Sequence, residues 1–129
     1  MSHSVKIKRG WSFAGEALEK EETVTAGQIV TIDEPIADSE TDYLIALTLD
    51  VSQIKAIYLE SDQDITLETN DGSTPDDTIS LSADVPQEWS ESDGAALRPL
   101  ATDVTALYVT NASGSTANLK ARFLVDPTV

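Results

Sequence analysis

A six-residue pattern occurs twice in this chain, fifty positions apart: Ile54-Lys55-Ala56-Ile57-Tyr58-Leu59 and Val104-Thr105-Ala106-Leu107-Tyr108-Val109. Each copy sets β-branched and aromatic residues where a pleated surface favours them, and each is followed by a polar turn and a second alternating run. The pattern predicts two similar hairpins. One joins Ile54 to Glu60 with Asp64 to Thr69 across Ser61-Asp62-Gln63, and the other joins Val104 to Thr110 with Ala117 to Val125 across Asn111 to Ser115. Two copies are fewer than a solenoid needs, so the hairpins are expected at comparable places in the two halves of one β-structure.

The rest of the chain reads in the same way. Val5-Lys6-Ile7-Lys8 alternates as a strand with Val5 and Ile7 facing a core and Lys6 and Lys8 facing water. Gly10 to Glu22 is expected to be irregular or briefly helical, with Ser12 available as a cap and Gly15 weakening any helix. Thr23 to Thr25 and Gln28 to Asp33 follow as short strands, and Tyr43 to Asp50 is an apolar run suited to a central strand. Ile79 and Leu81 alternate with serines, while Asp84 to Asp103 forms a long connection holding one short strand near Trp89. Eight or nine strands with no room for crossover helices predict an all-β fold, an antiparallel β-sandwich of jelly-roll-like form. Residues 23–129 are expected to build the sandwich, and residues 1–22 an arm packed on or beyond it.

Charge narrows the choice of partners. The net charge of −15 over 129 residues is uneven: Lys6, Lys8 and Arg9 give residues 1–9 a charge of +3, and five bases against 23 acids give residues 10–129 a charge of −18. Such a body repels phosphates and anionic lipid, so neither nucleic acid nor membrane is an expected partner. The basic start is suited to an acidic neighbour. No apolar run approaches the roughly twenty residues that span a bilayer, and Met1 to Arg9 lacks the apolar stretch of a signal peptide, so a soluble chain is expected. With no cysteine, disulfides and thiolate metal sites are excluded.

The residues that ordinarily carry chemistry are sparse. His3 is the single histidine and sits beside serines near the terminus, where nothing in the sequence supplies a third group to fix an imidazole. Calcium is the one metal the composition suits, through Asp62, Asp64, Asp71, Asp76 and Asp77, yet the loop opening at Asp71 has Ser82 where an EF-hand needs its bidentate glutamate. The expectation is therefore no cofactor, with a solvated acidic edge in place of a calcium site. Carboxylate pairs abound by chance among 23 acids, but only 5% of the chain is aromatic, which argues against the stacking platforms of a sugar-cleaving cleft. No enzyme is expected. Trp11 and Trp89 lie in polar surroundings, where an indole either anchors an interface or plugs one end of the sandwich. Tyr58 and Tyr108 belong to the repeat and are expected in the core or as cross-strand partners. Asn111-Ala112-Ser113 matches the N-glycosylation acceptor pattern in an expected turn.

From Ile65 to Val125, and above all in Asp76-Asp77-Thr78-Ile79-Ser80-Leu81 and Asp103-Val104-Thr105-Ala106-Leu107-Tyr108-Val109-Thr110-Asn111-Ala112-Ser113-Gly114 with Trp89 between them, the chain resembles small accessory structural proteins of tailed bacteriophage virions. The resemblance implies a non-enzymatic capsid decoration subunit, assembled in the host cytoplasm and carried on the virion. Its implied partners are the major capsid protein and copies of itself, in an oligomer such as a trimer. On this reading Lys6, Lys8, Arg9, Trp11, Phe13 and Trp89 are the interface residues. The alternative is a receptor- or carbohydrate-binding module in which Trp89 stacks on a sugar ring.

Overall fold

The computed structural model describes residues 3–127 and all of their side chains except that of Phe13, so the expected interface role of Phe13 and the last two residues of the tail fall outside the description. Ten strands run in chain order: β1 His3–Phe13, β2 Glu16–Ala26, β3 Gln28–Ile36, β4 Tyr43–Ile45, β5 Ile54–Ser61, β6 Ile65–Thr69, β7 Thr78–Leu81, β8 Gln87–Ser90, β9 Leu107–Thr110 and β10 Ala117–Val125. Short 3-10 turns at Val51–Gln53, Glu91–Asp93 and Ala95–Leu97 supply all the helix among the described residues. The all-β expectation holds, with eight strands in the sandwich and two more in a separate hairpin.

The eight body strands form two antiparallel sheets, ordered β3-β10-β5-β8 and β4-β9-β6-β7. The partners β6/β7, β5/β8, β4/β9 and β3/β10 nest outward from the β6–β7 connection, so the chain is a long double ribbon rolled over on itself. This winding is jelly-roll-like. Between the sheets lies one core, in which Ile36, Leu59, Leu67, Leu81, Val109 and Leu119 are fully buried.

The two repeats are not hairpins. β5 lies in one sheet and β6 in the other, and β9 and β10 divide the same way, so each repeat is an arch that crosses the core. The arches pair with each other instead, β5 with β10 and β6 with β9. Exchanging the two sheets therefore exchanges the two arches, and the expectation of comparable places in two halves survives in this altered form. Burial follows the repeat: Ile54, Ile57 and Leu59 are inside, as are Val104, Leu107 and Val109. Tyr58 and Tyr108 stand half-exposed on the outer faces as cross-strand partners, Tyr58 opposite Arg122 and Glu88, Tyr108 opposite Leu44 and Glu68.

Each arch is held at its bend by a buried polar side chain at the same place in the repeat. The Ser61 hydroxyl donates to the Gln63 carbonyl at 2.7 Å and accepts from its amide. Asn111, with no exposed surface, donates through Nδ2 to the carbonyls of Ile36 at 2.9 Å and Ser115 at 2.8 Å, and its Oδ1 accepts from the amide and hydroxyl of Ser113. A glycan on Asn111 is incompatible with this folded bend, so the acceptor pattern there is a match in sequence alone.

The apolar run from Tyr43 to Asp50 is also corrected. Only Tyr43–Ile45 is a strand, and it lies at a sheet edge rather than in the centre. Beyond it Leu47 and Leu49 still point inward, and a single bridge joins Leu49 to Val104.

Candidate functional site

The segment expected to be irregular or helical, Gly10 to Glu22, is instead the outer half of the β1–β2 hairpin. β1 and β2 pair without a bulge from His3 opposite Ala26 to Phe13 opposite Glu16, and β2 runs across the boundary expected at residues 22 and 23. The turn is Ala14-Gly15, both left-handed at φ 51° and 82°, the geometry whose twist matches the flanking strands in a two-residue connection. Gly15 takes that backbone without a Cβ penalty; Ala14 does not. His3 begins this ladder and is thus a strand residue rather than a frayed end.

Because side chains alternate across a strand, Val5, Ile7, Arg9 and Trp11 share one face with their partners Val24, Glu22, Lys20 and Leu18. Three zones follow along that face. At the base, Ile7, Val24 and Ala26 are buried against Ala56 and Leu124 on the outer side of the β3-β10-β5-β8 sheet, with Val5 and Ile29 half-buried beside them. This is a second, smaller core, and it confirms that Val5 and Ile7 face inward while Lys6 and Lys8 face water.

The middle zone is a polar clamp. Arg9 reaches the Asp93 carboxylate with both guanidinium nitrogens, at 2.7 Å each. Asp93 also accepts from the Ser90 amide at 2.9 Å, and the Ser90 hydroxyl donates to Glu22 at 2.7 Å. The Arg9 guanidinium, followed by the Ser90 amide, holds the Asp93 carboxyl down at about 2. Hydrogen bonds from the Ser90 and Ser92 hydroxyls lower Glu22 in the same direction. Arg9 was expected to meet an acidic neighbour, and the neighbour here belongs to its own body. On the opposite face Lys8 lies 3.7 Å from Glu21, and Lys6 is exposed.

Beyond the clamp the face overhangs. Trp11 and Leu18, paired directly across the strands, are 81% and 62% exposed. A hairpin whose base buries this face leaves it bare at Trp11 and Leu18, two residues or roughly 7 Å past Arg9. The sequence singled out Trp11 but missed Leu18; a two-residue turn at Ala14-Gly15 is the signal that sets one opposite the other. It also missed Asp93, Ser90 and Glu22, whose partnership depends on long-range placement.

Trp89 does not join this site. It is 3% exposed, faces the main core opposite Ile57, and donates through its indole nitrogen to the Gly94 carbonyl at 2.9 Å, with the Arg98 guanidinium 5.7 Å from its ring centre. The interface role is corrected in favour of the plug. Lys6, Lys8, Arg9 and Trp11 share the hairpin, while Trp89 lies in the body.

The acidic loops are occupied in shaping backbone. Asp62 accepts from the amide and side chain of Asn118, Asp64 from the Ala83 amide, Asp71 from the amides of Ser73 and Thr74, Asp76 from Asn70, and Asp77 from the amides of Ala101 and Thr102. No group of three or more His, Cys, Asp or Glu side chains is gathered for a metal among the described residues. The charge map is more telling. Residues 3–26 carry Lys6, Lys8, Arg9 and Lys20 against Glu16, Glu19, Glu21 and Glu22, a net of zero, so residues 27–129 hold all of the −15.

No family model matches the chain, and no curated protein matches it. Among solved structures it is similar to a chain from a Bacillus structure whose title reads "Bacillus endospore appendages form a novel family of disulfide-linked pili". The two share 14% identity over 98% of this chain and 92% of that one, at a TM-score of 0.40. That is a loose likeness in the course of the backbone.

Proposed function

We propose that the protein is a non-enzymatic structural subunit that joins a larger protein assembly through the tip of the β1–β2 hairpin. The observation that carries this reading is the bare Trp11–Leu18 pair at the end of a hairpin whose inner part is bolted to the body by an apolar base and the Arg9–Asp93 clamp. An exposed indole beside a leucine on a rigid support is the kind of anchor that supplies most of the binding energy in protein interfaces. The hairpin's neutrality lets it approach other proteins, while the acidic body keeps nucleic acid and anionic lipid away.

The finer reading, a capsid decoration subunit on the outside of a bacteriophage virion with the major capsid protein and its own copies as partners, rests on the resemblance of Ile65 to Val125. A rolled sandwich with short polar turns and no cysteine suits repetition on a shell, where symmetry multiplies each modest contact. The carbohydrate-binding reading lost its ligand platform when Trp89 proved to be buried.

The test is mass spectrometry of density-purified virions from the producing cells. Many copies per particle are expected, as is their loss when Trp11→Ser and Leu18→Ser are combined in a chain that still folds. Absence of the parent chain from particles overturns the reading.

A further inference from the structure

The same chain that carries a bare apolar knob also carries an apolar socket. Between the hairpin base and the outer face of the β3-β10-β5-β8 sheet lies a cleft of about 290 Å³ walled by Val5, Ile7, Ile29, Ala56 and Leu124. That is roughly twice the volume of an apolar protein cavity that admits benzene, and is ample for an indole. We propose that the cleft receives the Trp11–Leu18 tip of a second copy, so that subunits join head to tail.

Four features select a copy of this chain as the occupant. The tip cannot fill its own cleft, because β1 and β2 stay in unbroken register from Ile7 to Trp11 and hold the two about 13 Å apart along one strand. Charge favours the match: Glu16 is the acid on the Trp11–Leu18 face of the tip, while Lys6 and Arg122, the latter also paired with Asp33, line the cleft. The lip also offers the Glu88 carboxylate as an acceptor for the incoming indole N–H, a partner that a buried tryptophan needs. Finally, body-to-body approach sets −15 against −15, whereas a tip with two acids, on a hairpin of no net charge, brings far less repulsion to its neighbour. Because knob and socket are different surfaces, the contact is heterologous and repeats from copy to copy into a ring or an open filament.

This inference rests on the reading of the tip as an assembly contact and names what the tip meets. Sedimentation velocity of the full chain from micromolar to millimolar concentration is the experiment. The parent is expected to associate in steps beyond a dimer, and the combined Trp11→Ser and Leu18→Ser variant to weaken that association by roughly 30-fold or more. Ile29→Glu blocks the cleft, and Lys6→Glu at the exposed lip does so with no bearing on folding. Each blocked-cleft variant alone is expected to stay monomeric, yet mixed with the tip variant it forms a one-to-one dimer that grows no further, since one intact knob meets one intact socket. A parent that stays monomeric throughout overturns the proposal, and so does a Lys6→Glu chain that associates as strongly as the parent, which marks a tip-to-tip contact. A monomeric parent still found in many copies on virions leaves the structural-subunit reading standing and removes only the head-to-tail contact.

Discussion

The sandwich and the hairpin are both antiparallel β-structure, but they treat apolar and polar surface in opposite ways. In the body, inward positions close on one core, and no buried side-chain nitrogen or oxygen lacks a partner among the described residues. Its outside is acidic, which keeps copies apart. In the hairpin the inward face is only partly used: the base is buried, the middle is clamped, and Trp11 with Leu18 is bare. The difference separates duties. The strands that wrap each other bury the main core, while the strands that outrun what they can cover leave apolar surface bare, which is where the proposed contact lies.

The largest expected effect tests the first half of that contrast. Leu59 is fully buried at the repeat position matched by Val109, and truncating it leaves a cavity that the paired arches cannot collapse around. Leu59→Ala is expected to cost about 2–5 kcal/mol in urea unfolding, while Trp11→Ser with Leu18→Ser stays within about 0.5 kcal/mol of the parent. Comparable losses in the two would erase the division between body and tip.

A smaller effect sharpens the account of the body. Asn111 and Ser61 hold equivalent bends, but Asn111 ties its own bend, through the Ser115 carbonyl and the Ser113 amide, to the end of β3 through the Ile36 carbonyl, whereas Ser61 serves only its own loop. Asn111→Ala leaves those buried groups short of partners and is expected to cost about 1–3 kcal/mol, against about 1 kcal/mol for Ser61→Ala. Equal costs in the same unfolding measurement would show that the link across β3, β9 and β10 adds nothing.

Much of this architecture is written locally. The repeat at Ile54 to Leu59 and Val104 to Val109 predicts equivalent strands, and the structure buries the same three positions of each copy, with Ile54 and Val104 outside the strict alternation because the register shifts at Val125 and Val104 makes only an isolated bridge. Whether the next strand folds back on the same sheet or crosses to the other is not a local property, because a polar loop of a few residues serves either. Ala56 and Leu124, apolar residues on the outer face of their sheet, signal a further layer rather than an arch; they are buried because the hairpin β1–β2 covers them. Tyr43 to Asp50 kept its period of two while losing its ladder, so periodicity reported orientation and not pairing. Trp89 misled because its neighbours Gln87, Glu88 and Ser90 are polar, yet one inward residue per two is all a short edge strand needs. Gly10 to Glu22 misled in the other direction. Trp11 and Leu18 serve no core of this chain, so the strand pattern carried no burial signal there.

The finest test of the comparison is pH. Asp93 titrates at about 2 in the folded chain against an ordinary value of 3.8, and Glu22 is lowered in the same direction. A depressed carboxylate contributes stability that is present above its ordinary value and lost as the pH falls through its folded one. The clamp is therefore expected to weaken as the pH falls from 3.8 to about 2, releasing the middle of the hairpin; the sandwich loses the loop bonds of Asp50, Asp62 and Asp71, which are lowered likewise, but keeps its apolar contacts, which bind no proton. Hydrogen exchange read by mass spectrometry should show β1 losing protection in that window before β5 and β10 do. Asp93→Asn removes the charge at every pH, so in that variant β1 is expected to exchange faster already at neutral pH and to gain little more on acidification. If β1 and β10 instead lose protection together across the whole range, hairpin and sandwich open as one cooperative unit, and the clamp is an ornament on a single body rather than the joint between two.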